Sequence, residues 1–138
     1  MKPWSGKKEA HLRANSLVRG CVSAMKLHGL LAVRFNNQPI AQKVDGQLVG
    51  YRRLLGPRGI PDIWAVAPGG RLLVSECKSG SGRLSIYQVE FMDKLDRVGA
   101  LVMVARSVVD VIQVCERGKR DGWSHTESPW KMQRLEER

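Results

Sequence analysis

Asp62 and Glu76, with Lys78 two residues further on, are the side chains of this sequence best placed to do chemistry. They lie at the open end of a stretch that reads as a hairpin: Ile63-Trp64-Ala65-Val66-Ala67, a turn at Pro68-Gly69-Gly70, then Arg71 through Lys78. A strand sends successive side chains to opposite faces, so Glu76 and Lys78 share one face and Cys77 points to the other. If the turn takes Pro68 to Gly70, Ala67 pairs with Arg71, and counting back sets Asp62 directly opposite Glu76, with Cβ atoms about 5 Å apart. Two carboxylates held that close repel each other unless a cation lies between them. All-oxygen ligation suits a hard ion such as Mg²⁺ or Mn²⁺, with waters completing its shell. An E-x-K tripeptide alone reads equally as the solvated end of a strand. The Pro61-Asp62 opening of the partner strand and the Ser79-Gly80-Ser81-Gly82 exit make it a candidate metal site.

As a set, Pro61-Asp62 followed by Glu76-x-Lys78 resembles the PD-(D/E)xK nuclease superfamily. With Gly59, Gly82-Arg83-Leu84-Ser85 and Gln88 added, the sequence resembles the virus-type replication-repair nuclease (VRR-NUC) branch of that superfamily, over roughly Glu9 to Val114. The resemblance implies that Asp62 and Glu76 bind the divalent metal together with the backbone carbonyl of Cys77. It further implies that Lys78 orients or activates the attacking water and that Gln88 is a further active-site residue. Cys77 departs from the aliphatic residue usual at that place, which its inward face tolerates because a thiol is small and apolar. The resemblance also points to Glu9 as an acidic residue near the site. By helical geometry Glu9 lies off the apolar face of its helix, where a first-turn Glu favoured by the helix dipole is the alternative. Gln88 has a second reading too, since Ser85-Ile86-Tyr87-Gln88 forms a capping box with Leu84 and Val89 as its hydrophobic staple.

The chain has 138 residues, 43% of them hydrophobic, enough for one domain with a real core. Its formal charge of +10 attracts polyanions, with nucleic acid the first candidate. Lys and Arg are spread along the chain, so the charge belongs to the folded surface. Lys43, Arg52, Arg53, Arg58 and Arg83 flank the acidic residues and are expected to contact DNA phosphates; a solvated loop is the alternative for the first four. No apolar stretch reaches the roughly 20 residues a membrane helix needs, so no membrane partner and a cytoplasmic location are expected, the host cytoplasm for a viral protein. Cys21, Cys77 and Cys115 show no metal or disulfide spacing.

The elements that must carry these residues follow from periodicity. Ser5 is expected to cap a helix to about Leu27, closed near Gly29, with Ala14, Leu17, Val18, Cys21 and Met25 on its apolar face. Leu30 to Phe35 reads as a short strand, and the breaker-rich segment from Asn36 to Arg58 as a functional loop holding one strand around Leu48 to Leu54. A helix from Ser85 to Gly99 should bury Ile86, Val89, Met92 and Leu95. Ala100 to Ala105 should be a central strand buried on both faces, and Ser107 should start a short helix through Cys115. Residues 1–115 are expected to form one domain, a nuclease domain by the resemblance, and 116–138 a charged arm whose Trp123 and Trp130 are expected to pack on the domain or on a second subunit.

The expected fold is a three-layer α/β domain, a mixed sheet flanked by helices, which is also what the resemblance implies. The expected activity is metal-dependent hydrolysis of DNA phosphodiesters. The resemblance adds a homodimer that cuts branched DNA such as four-way junctions. A flap or single-strand endonuclease, a basic DNA-binding module without catalysis, and RNA as substrate are the alternatives.

Overall fold

The computed structural model describes residues 3–35, 40–52 and 58–137; the side chains of residues 3–8 and of Arg52 fall outside that description. Among the described residues, six strands and four α-helices follow in the order α1 (Pro3–Leu27), β1 (Leu31–Arg34), β2 (Ile40–Val44), β3 (Gln47–Arg52), β4 (Ile63–Val66), β5 (Leu72–Cys77), α2 (Ile86–Arg97), β6 (Leu101–Ala105), α3 (Val108–Asp121) and α4 (Trp130–Glu136). β1, β4, β5 and β6 form one mixed sheet in that order, antiparallel except for the β5–β6 pair. The α2 crossover is what permits the parallel pair, which no tight turn could connect.

Alternation along the strands builds two cores. Leu73 on β5 and Leu101, Met103 and Ala105 on β6 face one side, where Val18, Cys21 and Met25 of α1 and Val111, Val114 and Cys115 of α3 cover them. Val74, Val102 and Val104 face the other, against Met92 of α2 and Trp130 of α4. The result is the three-layer α/β domain the sequence predicts.

Several expectations need correction. Ser5 lies inside α1 and does not cap it, because the helix already runs from Pro3, a residue suited to a helix's first turn. β2 was not expected. It pairs with β3 across a two-residue Asp45-Gly46 turn as a separate hairpin, for which Asp-Gly is a strong local signal. β3 ends at Arg52, and Leu54 lies outside the described residues. Ile86 is exposed, and Met92 is the buried residue of α2, with Val89 and Leu95 half-buried beside it. β6 is buried on both faces as expected, yet it is an edge strand and not a central one.

The edge of β6 is covered by the chain that follows α3. Ser128 Oγ accepts from Val102 N and donates to the Ala100 carbonyl, and the Gln133 amide accepts from Val104 N and donates to Val104 O. Two side chains thereby take the place of a neighbouring strand. Trp130 is buried in the second core with its Nε1 donating to Asp93, Trp123 is buried in the first, and α3 itself runs through Glu116 to Asp121.

Candidate active site

The β4–β5 hairpin sets the geometry. Ile63 pairs with Ser75 and Val66 with Leu72, and the Ala67 N–H donates to the Arg71 carbonyl at 2.9 Å across Pro68-Gly69-Gly70. One step beyond Ile63 the same register puts Asp62 opposite Glu76, as the three-residue turn requires. Asp62 Oδ2 accepts from Cys77 N at 2.9 Å, which pins the loop residue to the end of β5.

Glu76 is buried, 3% exposed, on the face that looks toward α2. Its Oε1 accepts from Gln88 Nε2 at 2.8 Å and lies 3.7 Å from Lys78 Nζ. Its Oε2 is buried with no partner. Burial, and after it the negative charge of Asp62, push the Glu76 carboxyl up to about 9, against the pull of Lys78. A carboxylate so placed either stays protonated or needs a cation.

The capping box at the start of α2 positions Gln88: Ser85 Oγ accepts from Gln88 N, and Gln88 Oε1 accepts from Ser85 N at 2.8 Å. The same amide therefore closes the cap with its oxygen and reaches Glu76 with its nitrogen. Cys77 turns to the opposite layer, where contact with Cys21 and burial push its thiol up. That leaves its backbone carbonyl, and not the sulfur, as the group available on the acidic side.

The donor set suits a hard divalent ion: two carboxylates, one of which keeps a buried oxygen without a partner, with the Cys77 backbone carbonyl beside them. Among the described residues no third His, Cys, Asp or Glu completes a cluster with these two. Glu9 is not brought to them. It is exposed on α1, about 18 Å along the helix from the Cys21 that packs against Cys77, by the rise of 1.5 Å per residue.

Of the basic residues, Lys43 is exposed on the separate hairpin and Arg83 on the loop before α2. Arg58 is exposed as well, its guanidinium donating to Tyr87 Oη at 3.1 Å and lying 5.0 Å from the ring centroid. Arg53 and the side chain of Arg52 lie outside the described residues. Sequence reasoning missed Arg106, which follows β6 and donates to the carbonyls of Gly80 and Gly82 at 3.3 and 2.8 Å while pairing with Glu137 at 3.4 Å. It ties down the glycine-rich loop that leaves Lys78. No local pattern marks it, because the contact spans two strand ends and the C-terminal helix.

Comparison with known proteins finds no matching family model and no matching curated protein. Among solved structures, one described as "VRR_NUC domain" superimposes with a TM-score of 0.53 at 17% identity, over 75% of this chain and 94% of that one. At this identity the likeness is one of architecture: the chain has the fold of a VRR_NUC domain, with Asp62, Glu76, Lys78 and Gln88 gathered at one end of its sheet.

Proposed function

We propose that the chain is a metal-dependent DNA endonuclease. The observation that carries this reading is the buried Glu76, opposed by Asp62 and contacted by Lys78 and Gln88 through one oxygen while its other oxygen has no partner. Asp62, Glu76 and the Cys77 carbonyl would hold Mg²⁺ or Mn²⁺, which when bound supplies Lewis acidity to a water and counter-charge to the phosphate. Lys78 stands beside the carboxylate pair with its ammonium half-shielded from solvent, where it orients the attacking water and offsets charge as the phosphorus takes on a fifth oxygen. Gln88 holds the Glu76 carboxylate in one orientation, leaving Oε2 for the metal. The fold likeness to a VRR_NUC domain supports the same activity.

The net charge of +10 supports a polyanionic substrate. Branched DNA, cut by a homodimer whose two sites are related by a two-fold axis, is the substrate class we assign. The β2–β3 hairpin supports the dimer. A lone two-stranded hairpin is marginal in water, and this one exposes Ile40, Val44, Leu48, Val49 and Tyr51, an apolar surface suited to a second copy.

The test compares wild type with Glu76→Ala on labelled four-way junction, flap and linear duplex DNA, in Mg²⁺, Mn²⁺ or EDTA. Metal-dependent cutting of branched DNA by the wild type alone is expected. Binding without cutting in every metal would leave a basic DNA-binding module and remove Asp62, Glu76 and Lys78 from any catalytic role.

A further inference from the structure

Beside the acidic centre lies a cleft of about 280 Å³ lined by Arg58, Tyr87, Glu90, Phe91 and Lys94. Four of these residues belong to α2 at spacings of three, four and seven, so they form one face of the helix. The fifth comes from the loop before Asp62. Gly59 sits against the Tyr87–Gln88 peptide so closely that a Cβ there would lie 2.3 Å from the Tyr87 carbonyl oxygen. The wall of the cleft and the catalytic hairpin are therefore joined backbone to backbone. Tyr87 is next in sequence to Gln88, which bonds Glu76.

From this placement we propose that the cleft receives one unpaired nucleotide of the DNA, the neighbour of the phosphate held at Asp62 and Glu76. The proposal rests on the nuclease reading and adds a substrate feature to it: an unstacked base at the branch. Tyr87 is 45% exposed and Arg58 already lies over its ring. A guanidinium plane over an aromatic ring is a stacking platform for a base of any identity. The volume is below the roughly 300–1,000 Å³ of pockets that take drug-sized ligands, which suits a single base. The charges also sort the nucleotide. Glu90 repels phosphate from the wall it occupies and can accept a hydrogen bond from a base amine, while Arg58 and Lys94 offer cations to the phosphates at either side.

The test uses full-length Glu76→Ala protein in EDTA, so that no DNA is cut, and measures affinity by fluorescence anisotropy for a blunt duplex and for the same duplex carrying a short unpaired gap. The readout is the ratio of the two affinities, together with quenching of 2-aminopurine placed in the gap. Adding Tyr87→Ala should lower the preference for gapped DNA about tenfold, the scale of one base–aromatic stack, and abolish the quenching. Tyr87→Phe in its place, which keeps the ring, should retain most of both, and Arg58→Lys, which keeps the charge and loses the guanidinium plane, should retain less. An unchanged ratio in Tyr87→Ala, or equal weakening on both DNAs, would overturn the proposal by reducing the cleft to ordinary phosphate contact. The nuclease reading fails separately: if wild type cuts no DNA in any metal while the ratio still depends on Tyr87, the nucleotide site stands without the catalysis.

Discussion

Gln88 and Glu76 are joined by a hydrogen bond of 2.8 Å, from the amide nitrogen of the first to Oε1 of the second. The amide's orientation is dictated by its other partner, because the Ser85 N–H can face only an oxygen. A helix cap thus aims a side chain at the buried carboxylate of Glu76. Gln88→Ala should cost about 1 kcal/mol of stability, the scale of a lost cap contact, and lower the cleavage rate about 10- to 100-fold, as loss of an orienting partner does. Gln88→Glu keeps an oxygen for Ser85 but sets a carboxylate against Glu76, so it should melt close to wild type and cut less than Gln88→Ala. Thermal melts and single-turnover rates of the two variants check the ordering; wild-type rates in both would mean that Gln88 serves the cap alone.

Burial, and then Asp62, raise the Glu76 carboxyl to about 9 in the folded chain, against about 4.3 unfolded. Between these values the native state binds more protons than the unfolded one, so stability without metal falls as pH rises through this window. Glu76→Gln removes that dependence. In EDTA the variant should melt several degrees above wild type at pH 8.5 and match it more closely at pH 5. Mg²⁺ should raise the wild-type melting temperature and leave that of Glu76→Gln unmoved. A wild type that melts with the variant at both pH values would mean that Glu76 is not desolvated.

Gly59 combines a φ of +87° with its approach to the Tyr87–Gln88 peptide, all of it against backbone atoms. Gly59→Ala should therefore cost the 1–2 kcal/mol of a left-handed residue plus the separation of the Asp62 loop from α2, about 3 kcal/mol in all when strain of about 1–3 kcal/mol is included. Gly69→Ala is the control, with a φ of +91° and nothing within 4 Å of its added Cβ. Urea unfolding should separate the two by the packing part alone. Cutting should fall in Gly59→Ala and not in Gly69→Ala, because only the first displaces Asp62 from Glu76.

Most of this site was legible because it is local. A three-residue turn and the two-residue period of a strand fix which side chains oppose each other, and they set Asp62 against Glu76 before any tertiary contact is known. The capping box around Ser85 is equally local, and so is the Asp45-Gly46 turn, which the reading of Asn36 to Arg58 as a breaker-rich loop passes over. What escaped depends on distant parts of the chain. The apolar run of β6 shows burial on both faces, but an edge strand covered by side chains reads the same as a central one. Ile86 fits the periodic stripe of α2, yet it sits at the helix's first position and is exposed. Arg106 reaches Gly80 and Gly82 only because β5 and β6 are neighbours.

The cover over β6 makes its own demand on the C-terminal segment. Gln133 satisfies both backbone groups of Val104, and Ser128 satisfies Val102 N and the Ala100 carbonyl, while Trp130, 1% exposed, fills the core beneath them. Gln133→Ala leaves two half-buried backbone groups unpaired, at about 1–3 kcal/mol; Trp130→Ala opens a cavity at about 3–5 kcal/mol. The two should differ in kind as well as size. Trp130→Ala loosens the core and should lower the unfolding midpoint without changing association. Truncation after Thr126 removes the side-chain cover altogether and frees the β6 edge to pair with another chain. Light scattering should show the truncated protein associating in a concentration-dependent way that Trp130→Ala does not share. If the truncated chain instead scatters like Trp130→Ala, the segment contributes apolar packing alone and its hydrogen bonds to β6 do not protect the edge.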